Sequence, residues 1–184
     1  MALPARGMGR YAAAVDVLIR PAREGDLGRI NEIYNTTIVE SHVSFDLKPW
    51  DLERRLRWWE RYGAEGPFRA HVAEVGGSVV GAAYSSPYRP KEAYLLSVET
   101  TIVLDPGYLG VGIGRRLLPA LVGTLRDDGI HRAYAIVALP NDASIGLHQS
   151  FGYRVVGTLD QAGYKLGQYW STTILELRLD VVWE

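Results

Sequence analysis

VLDPGYLGVGIGRRLLPAL, residues Val103 to Leu121, decides how the rest of the chain is read. An apolar strand ends at Asp105-Pro106, and a loop with glycines at 107, 110, 112 and 114 opens straight into an amphipathic helix. Clustered glycines let backbone N–H groups converge on an anion with no Cβ in the way. A helix start adds unpaired donors and the positive end of a dipole. Such a turn suits a phosphate, although on its own it is also an ordinary Gly-rich strand-to-helix turn. Two familiar phosphate loops fit it poorly. A P-loop closes on Gly-Lys-Ser/Thr, whereas Gly114 is followed by Arg115-Arg116. The dinucleotide fingerprint G-x-G-x-x-G follows the first strand of its domain, whereas this loop reads G-x-G-x-G and lies past the middle of the chain.

Working outward, 184 residues with 47% hydrophobic and 22% charged side chains describe one soluble globular domain. A formal net charge of −1 argues against a general nucleic-acid binder, which carries a basic excess. The absence of cysteine excludes disulfides, thiolate metal sites and a cysteine acyl-enzyme, so any group transfer is direct or uses another nucleophile. Residues 1–14 read as a mobile tail, with the domain spanning 15–184. The Ala12-Ala13-Ala14-Val15 stretch is cut by Asp16, too short for a signal-peptide core or a membrane span. A cytoplasmic protein with no membrane partner is the expectation.

Periodicity predicts a strand over Val15–Arg20, broken at Pro21, and a helix from about Glu24 to Thr37 with apolar Leu27, Ile30 and Ile33-Tyr34 at helical spacing. Asp51 is a good N-cap for a second helix whose buried face is expected at Leu52, Leu56 and Trp59. Phe68–Val75 and Ser78–Ser86 flank Gly76-Gly77 as a hairpin. Tyr94–Leu104 is the longest apolar strand. The helix after the loop carries Ile113, Leu117, Leu121 and Leu125, with Pro119 inside it expected to remove a hydrogen bond and bend it. A strand over His131–Ala138, a short helix over Asn141–Ser150, and strands over Arg154–Leu159 and Thr172–Leu179 complete the chain. The order β-α-α-β-β-β-α-β-α-β-β is a mixed α/β domain around one sheet.

Three segments in this order and spacing then carry a resemblance: the glycine loop, the run Leu139-Pro140-Asn141-Asp142-Ala143-Ser144 leading to Leu147-His148-Gln149-Ser150-Phe151-Gly152-Tyr153, and Ala162-Gly163-Tyr164-Lys165-Leu166-Gly167. Together they resemble the GNAT superfamily of acetyl-CoA-dependent N-acetyltransferases. Counterparts of Ser44-Phe45-Asp46, Tyr94 and Val98-Glu99 point to its phosphinothricin acetyltransferase branch. The resemblance covers roughly Leu18 to Leu179. It implies the GNAT fold, a central mixed, mostly antiparallel sheet flanked by helices. It also implies acetyl-CoA as co-substrate, no metal, and a homodimer. The strand before the loop and the strand after its helix splay apart in that family, and the pantetheine arm lies between them; the corresponding segments are Glu99–Leu104 and Ala135–Leu139.

The coenzyme residues implied by the resemblance are Thr101, Ile102 and Val103 on the strand, Leu109, Gly110, Val111, Gly112, Ile113, Gly114 and Arg115 in the loop, and Asn141 and Ser144 beyond it. Leu109 stands where the family usually has Arg or Gln, so a weaker grip on the diphosphate is expected. Glu99 is the leading base: an amine with a pKa near 10 is mostly protonated at neutral pH and cannot attack a thioester until it loses a proton. A carboxylate in this apolar strand either meets an arginine or lines a cleft. His148 is the second catalytic candidate, and Asn141, Ser144 and His148 stack on one helix face. The bland readings are a histidine satisfied by a backbone carbonyl and an asparagine acting as a plain N-cap. Tyr108, near the loop, is a further proton donor to weigh. Phe45, Arg89 and Tyr94 are the acceptor-site candidates, with Arg89 suited to a carboxylate. The expected reaction is direct acetyl transfer to the primary amine of a small amino-acid-like acceptor. Alternatives are another amine, such as a polyamine or protein N-terminus, and a non-catalytic CoA-binding module.

Overall fold

The computed structural model describes residues 16–179, so the expected tail, residues 1–14, lies outside the described residues. The element order is β1 (Leu18–Pro21), α1 (Leu27–Glu40), α2 (Leu52–Trp59), β2 (Ala70–Val75), β3 (Ser78–Pro87), β4 (Ser97–Leu104), α3 (Gly114–Asp127), β5 (Arg132–Ala138), α4 (Asp142–Gln149), β6 (Arg154–Lys165) and β7 (Gln168–Arg178). The strands form one seven-stranded sheet in the order β1-β2-β3-β4-β5-β7-β6, antiparallel throughout except for β4 against β5.

Strand periodicity divides the core into two layers. Ala73, Ala83 and Val98 face α3 and its Leu117, Leu121 and Leu125. Their neighbours Val72, Ala82 and Tyr84 face Leu27, Ile30 and Ile33 of α1 and Trp58 of α2. Asp51 caps α2 through a bond from the Arg54 amide. Gly76 and Gly77 both adopt positive φ, as a two-residue hairpin requires. α3 runs unbroken through Pro119.

Several expectations need correction. Pro21 does not break β1 but pairs with His71 as its last residue, and the strand expected from Tyr94 begins at Ser97, after a short helical turn over Glu92–Tyr94. α2 buries Arg55 and Trp58, whereas Leu52 is 51% exposed and Leu56 is also exposed. An aromatic cluster surrounds the arginine and turns that face inward, which hydrophobic spacing could not reveal. The last hairpin is also longer than expected. β6 continues to Lys165 across an irregularity between Leu159 and Gly163. There Ser171 Oγ accepts from the Gln161 amide and donates to Asp160. The motif Ala162–Gly167 therefore forms the hairpin end, with Leu166 and Gly167 at positive φ.

Candidate active site

β4 and β5 pair only at Ser97–Arg132, Val98–Ala133 and Glu99–Tyr134. Past Glu99, β4 has β3 on one side and no strand on the other; β5 pairs with β7 alone through Ala138. At the point of separation Thr100 Oγ1 donates to the Tyr134 carbonyl (3.0 Å) and meets the Tyr153 hydroxyl (3.0 Å). A side chain thus occupies the place of the next ladder bond. The result is an open V with unpaired backbone along Thr101–Val103, a seam able to take an extended chain as an added strand would lie.

The glycine loop lies at the end of that V. Gly110 and Gly112 have φ of 76° and 88°, a region side chains rarely adopt. Among the described residues the amides of Gly110 through Gly114 have no hydrogen-bond acceptor. They lie at and just before the N-terminus of the 14-residue α3, where partial positive charge accumulates. Leu109, Val111 and Arg115 are exposed, whereas the Ile113 side chain is core and leaves only its backbone to a ligand. A Cβ on Gly114 would stand 2.9 Å from Leu147 Cδ2, so a side chain here would push Leu147 aside at the α3–α4 contact.

A cavity of about 460 Å³ opens beside the V on the α1–α2 side of the sheet. Glu99 and Thr101 line it from β4, Tyr84 and Ser86 from β3, and Arg61 and Arg89 from the loops. Its aromatic wall, Tyr34, Trp50 and Trp58, is held from behind. Tyr34 Oη (2.5 Å) and Trp50 Nε1 (3.1 Å) both donate to Asp46. The Arg55 guanidinium, 0% exposed, lies 4.3 to 4.9 Å from the three ring centroids, and its Nε donates to Asn31. Its Nη1 and Nη2 have no partner, and burial lowers its pKa.

Glu99 has no hydrogen bond or ion pair among the described residues. Burial raises its carboxyl above the ordinary 4.5, and the Arg89 charge opposes that shift only in part. Burial also pushes the Tyr84 phenol up to about 12. His148 is buried away from this cavity. Its Nδ1 donates to the Ser144 carbonyl (2.8 Å), its ring meets Tyr153 edge-on, and Nε2 has no partner. Burial lowers its pKa below 6.5, so the neutral ring offers only a lone pair. Asn141 accepts from the Ser144 amide (3.1 Å) and caps α4.

Of the acceptor candidates, only Arg89 lines the cavity. Tyr94 sits in a short turn, 42% exposed, with its ring edge on Tyr88. Phe45 rests on the bare face of Gly163, within a strap that Lys165 Nζ ties through the Ser44 carbonyl (2.6 Å) and that His42 stacks onto Trp170. Sequence reasoning missed Tyr34, Trp50, Trp58, Tyr84 and Arg61. Their spacing reads as helix and strand core, and only the buried arginine marks the cluster as something else.

A splayed parallel pair, a glycine loop with unpaired amides at a helix start and an unpartnered carboxylate in the adjoining cavity thus lie side by side. Residues 30–153 match the acetyltransferase (GNAT) family, and the chain belongs to it. It is 42% identical over 163 residues to phosphinothricin N-acetyltransferase of Streptomyces coelicolor, covering 88% of this chain and 95% of that one. It is 33% identical over 162 residues to the L-methionine sulfoximine/L-methionine sulfone acetyltransferase of Salmonella typhimurium, covering 88% and 94%. The phosphinothricin acetyltransferase of Sinorhizobium meliloti, solved in complex with acetyl-CoA, superposes with a TM-score of 0.81 at 29% identity, covering 88% of each chain. An N-acetyltransferase from Staphylococcus aureus superposes with a TM-score of 0.84 at 32% identity, covering 90% and 99%.

Proposed function

We propose that this chain transfers acetyl from acetyl-CoA to the primary amine of a small amino-acid-like acceptor of the phosphinothricin or methionine sulfoximine type, with Glu99 as the base. The observation that carries this reading is the unpartnered Glu99 carboxylate, held above its ordinary pKa at the mouth of the β4–β5 opening. Acetyl-CoA supplies an activated thioester. The amides of Gly110–Gly114 and the adjacent Arg115 hold its diphosphate, with Asn141 and Ser144 on the facing side. Open backbone at Thr101, Ile102 and Val103 receives the pantetheine arm and offers N–H groups toward the thioester carbonyl.

An ammonium acceptor gives one proton to Glu99, directly or through water, and the freed lone pair forms the N–C bond as the C–S bond breaks. The second nitrogen proton balances the departing thiolate. His148, with its Nδ1 proton committed to Ser144, enters only as a hydrogen-bond acceptor at Nε2. Arg89 holds the acceptor carboxylate, while Phe45 and Tyr94 close the approaches rather than line the cavity.

Two further parts belong to the same reading. A homodimer is supported by the apolar Val155, Val156 and Leu159 left exposed on β6. Among the described residues no helix is long and apolar enough to cross a membrane, and a cytoplasmic location fits the use of acetyl-CoA. The test is thiol release from acetyl-CoA across a panel of amines, in which the cysteine-free protein contributes no thiol of its own. Turnover with amino-acid mimics supports the reading; binding of acetyl-CoA with no turnover of any amine contradicts it.

A further inference from the structure

The cavity's charges ask for more than one anion. Several arginines elsewhere are matched with carboxylates: Arg20 with Asp26 and Glu74, Arg57 with Glu53, Arg69 with Asp128, Arg154 with Glu176. Arg61 and Arg89 both line the cavity, and among the described residues neither has an ion-pair partner. Behind the aromatic wall, the buried Arg55 adds a third guanidinium whose Nη1 and Nη2 make no hydrogen bond, while Asp46 behind the same wall is taken up by Tyr34, Trp50 and Arg54. Against these stands one acid, Glu99, and a salt bridge there would remove it as a base. An unpaired guanidinium facing a partly enclosed space is a ready receptor for a carboxylate or phosphinate, because its fork of donors matches two oxygens.

We propose that Arg61 is a second anion-recognising residue of the acceptor cavity, so that the site prefers amines carrying an anionic side chain in addition to their carboxylate. This rests on the acetyl-transfer reading above. The two arginines divide the work by position. Arg89 follows β3, whose Ser86 pairs directly with Glu99, and its charge acts on that carboxylate. An α-carboxylate is one carbon from the reacting amine, so it belongs at Arg89. Arg61 follows α2 on the aromatic side of the cavity and takes the distal group. A methylphosphinate satisfies it, whereas a sulfone brings oxygens without a charge.

The experiment compares phosphinothricin with methionine sulfone as acceptors for the full-length wild type, Arg61→Gln, Arg61→Lys and Arg89→Gln. Arg61 is exposed, so its variants fold. Arg61→Gln is expected to raise KM for phosphinothricin about tenfold or more, as losing one charge-assisted contact implies. KM for methionine sulfone and kcat for both acceptors stay near wild type, and Arg61→Lys recovers part of the loss. Arg89→Gln raises KM for both. Equal shifts for the two acceptors in Arg61→Gln, or none, overturn the assignment and leave acetyl transfer standing. Failure of the wild type to acetylate either acceptor overturns the reading on which the assignment rests.

Discussion

Thr100 Oγ1 donates to the Tyr134 carbonyl at the one place where β4 and β5 stop pairing. Because that hydroxyl gives its proton to the carbonyl, it accepts from the Tyr153 hydroxyl, which is buried. The parting of the strands is therefore built by a satisfied polar pair inside the sheet. Thr100→Val keeps the shape and removes the wedge. It leaves the Tyr153 hydroxyl unpaired, at a cost of about 1–3 kcal/mol. Urea unfolding is expected to show that loss, together with a higher KM for acetyl-CoA. Tyr153→Phe removes the orphaned group and is expected to cost less.

Glu99 carries opposite demands of stability and chemistry. Its folded pKa lies above 4.5, so this carboxyl stabilises the fold below its unfolded pKa and loses that contribution as pH rises through the folded value. Glu99→Gln is therefore expected to raise Tm at neutral pH, with the gain shrinking in acid. The same variant is expected to lower kcat about 10²-fold or more. The acid limb of kcat/KM for the wild type should titrate above 4.5 and disappear in the variant.

Histidine burial sets the acid side of stability. His71 and His148 are both held below 6.5 by desolvation. Each has one ring nitrogen with no partner. Groups with lowered folded pKa contribute fully above the unfolded value and lose that contribution as pH falls below it. Chemical denaturation across pH 7 to 5 is expected to show falling stability, reduced in His71→Gln.

The loop can be tested without touching the reacting groups. Gly112 has a φ of 88° and open space around its missing Cβ. Gly112→Ala meets only backbone strain, about 1–2 kcal/mol. Gly112→Asp adds a negative charge beside the unpaired amides. Calorimetric titration is expected to show acetyl-CoA affinity falling about tenfold further in the Asp variant than in the Ala variant.

Much of this was legible in the sequence. The glycines at 107, 110, 112 and 114 announced a strand-to-helix turn, Gly76-Gly77 announced a hairpin, and Asp51 and Asn141 announced caps, because each is a local choice with a local cause. Glu99 stood out as an acid in an apolar strand. The acceptor cavity was not legible. Tyr34, Trp50, Trp58 and Tyr84 meet from four segments, and their spacing fits an ordinary core as well as a wall. Arg55 was hidden for the same reason: what pulls it inward is a cage in which Trp50 and Trp58 of its own segment meet Tyr34 and Asn31 of α1. Phe45 and Tyr94, named as acceptor-site candidates by resemblance, lie in the strap seated on Gly163 and in the turn at Glu92–Tyr94.

The most direct test follows thiol release from acetyl-CoA with phosphinothricin as acceptor, comparing wild type with Glu99→Gln from pH 5 to 9. The wild type is expected to turn over with an acid limb above 4.5. The variant should bind acetyl-CoA normally yet turn over about 10²-fold or more slowly. A variant that keeps the wild-type rate and pH profile would contradict Glu99 as the base.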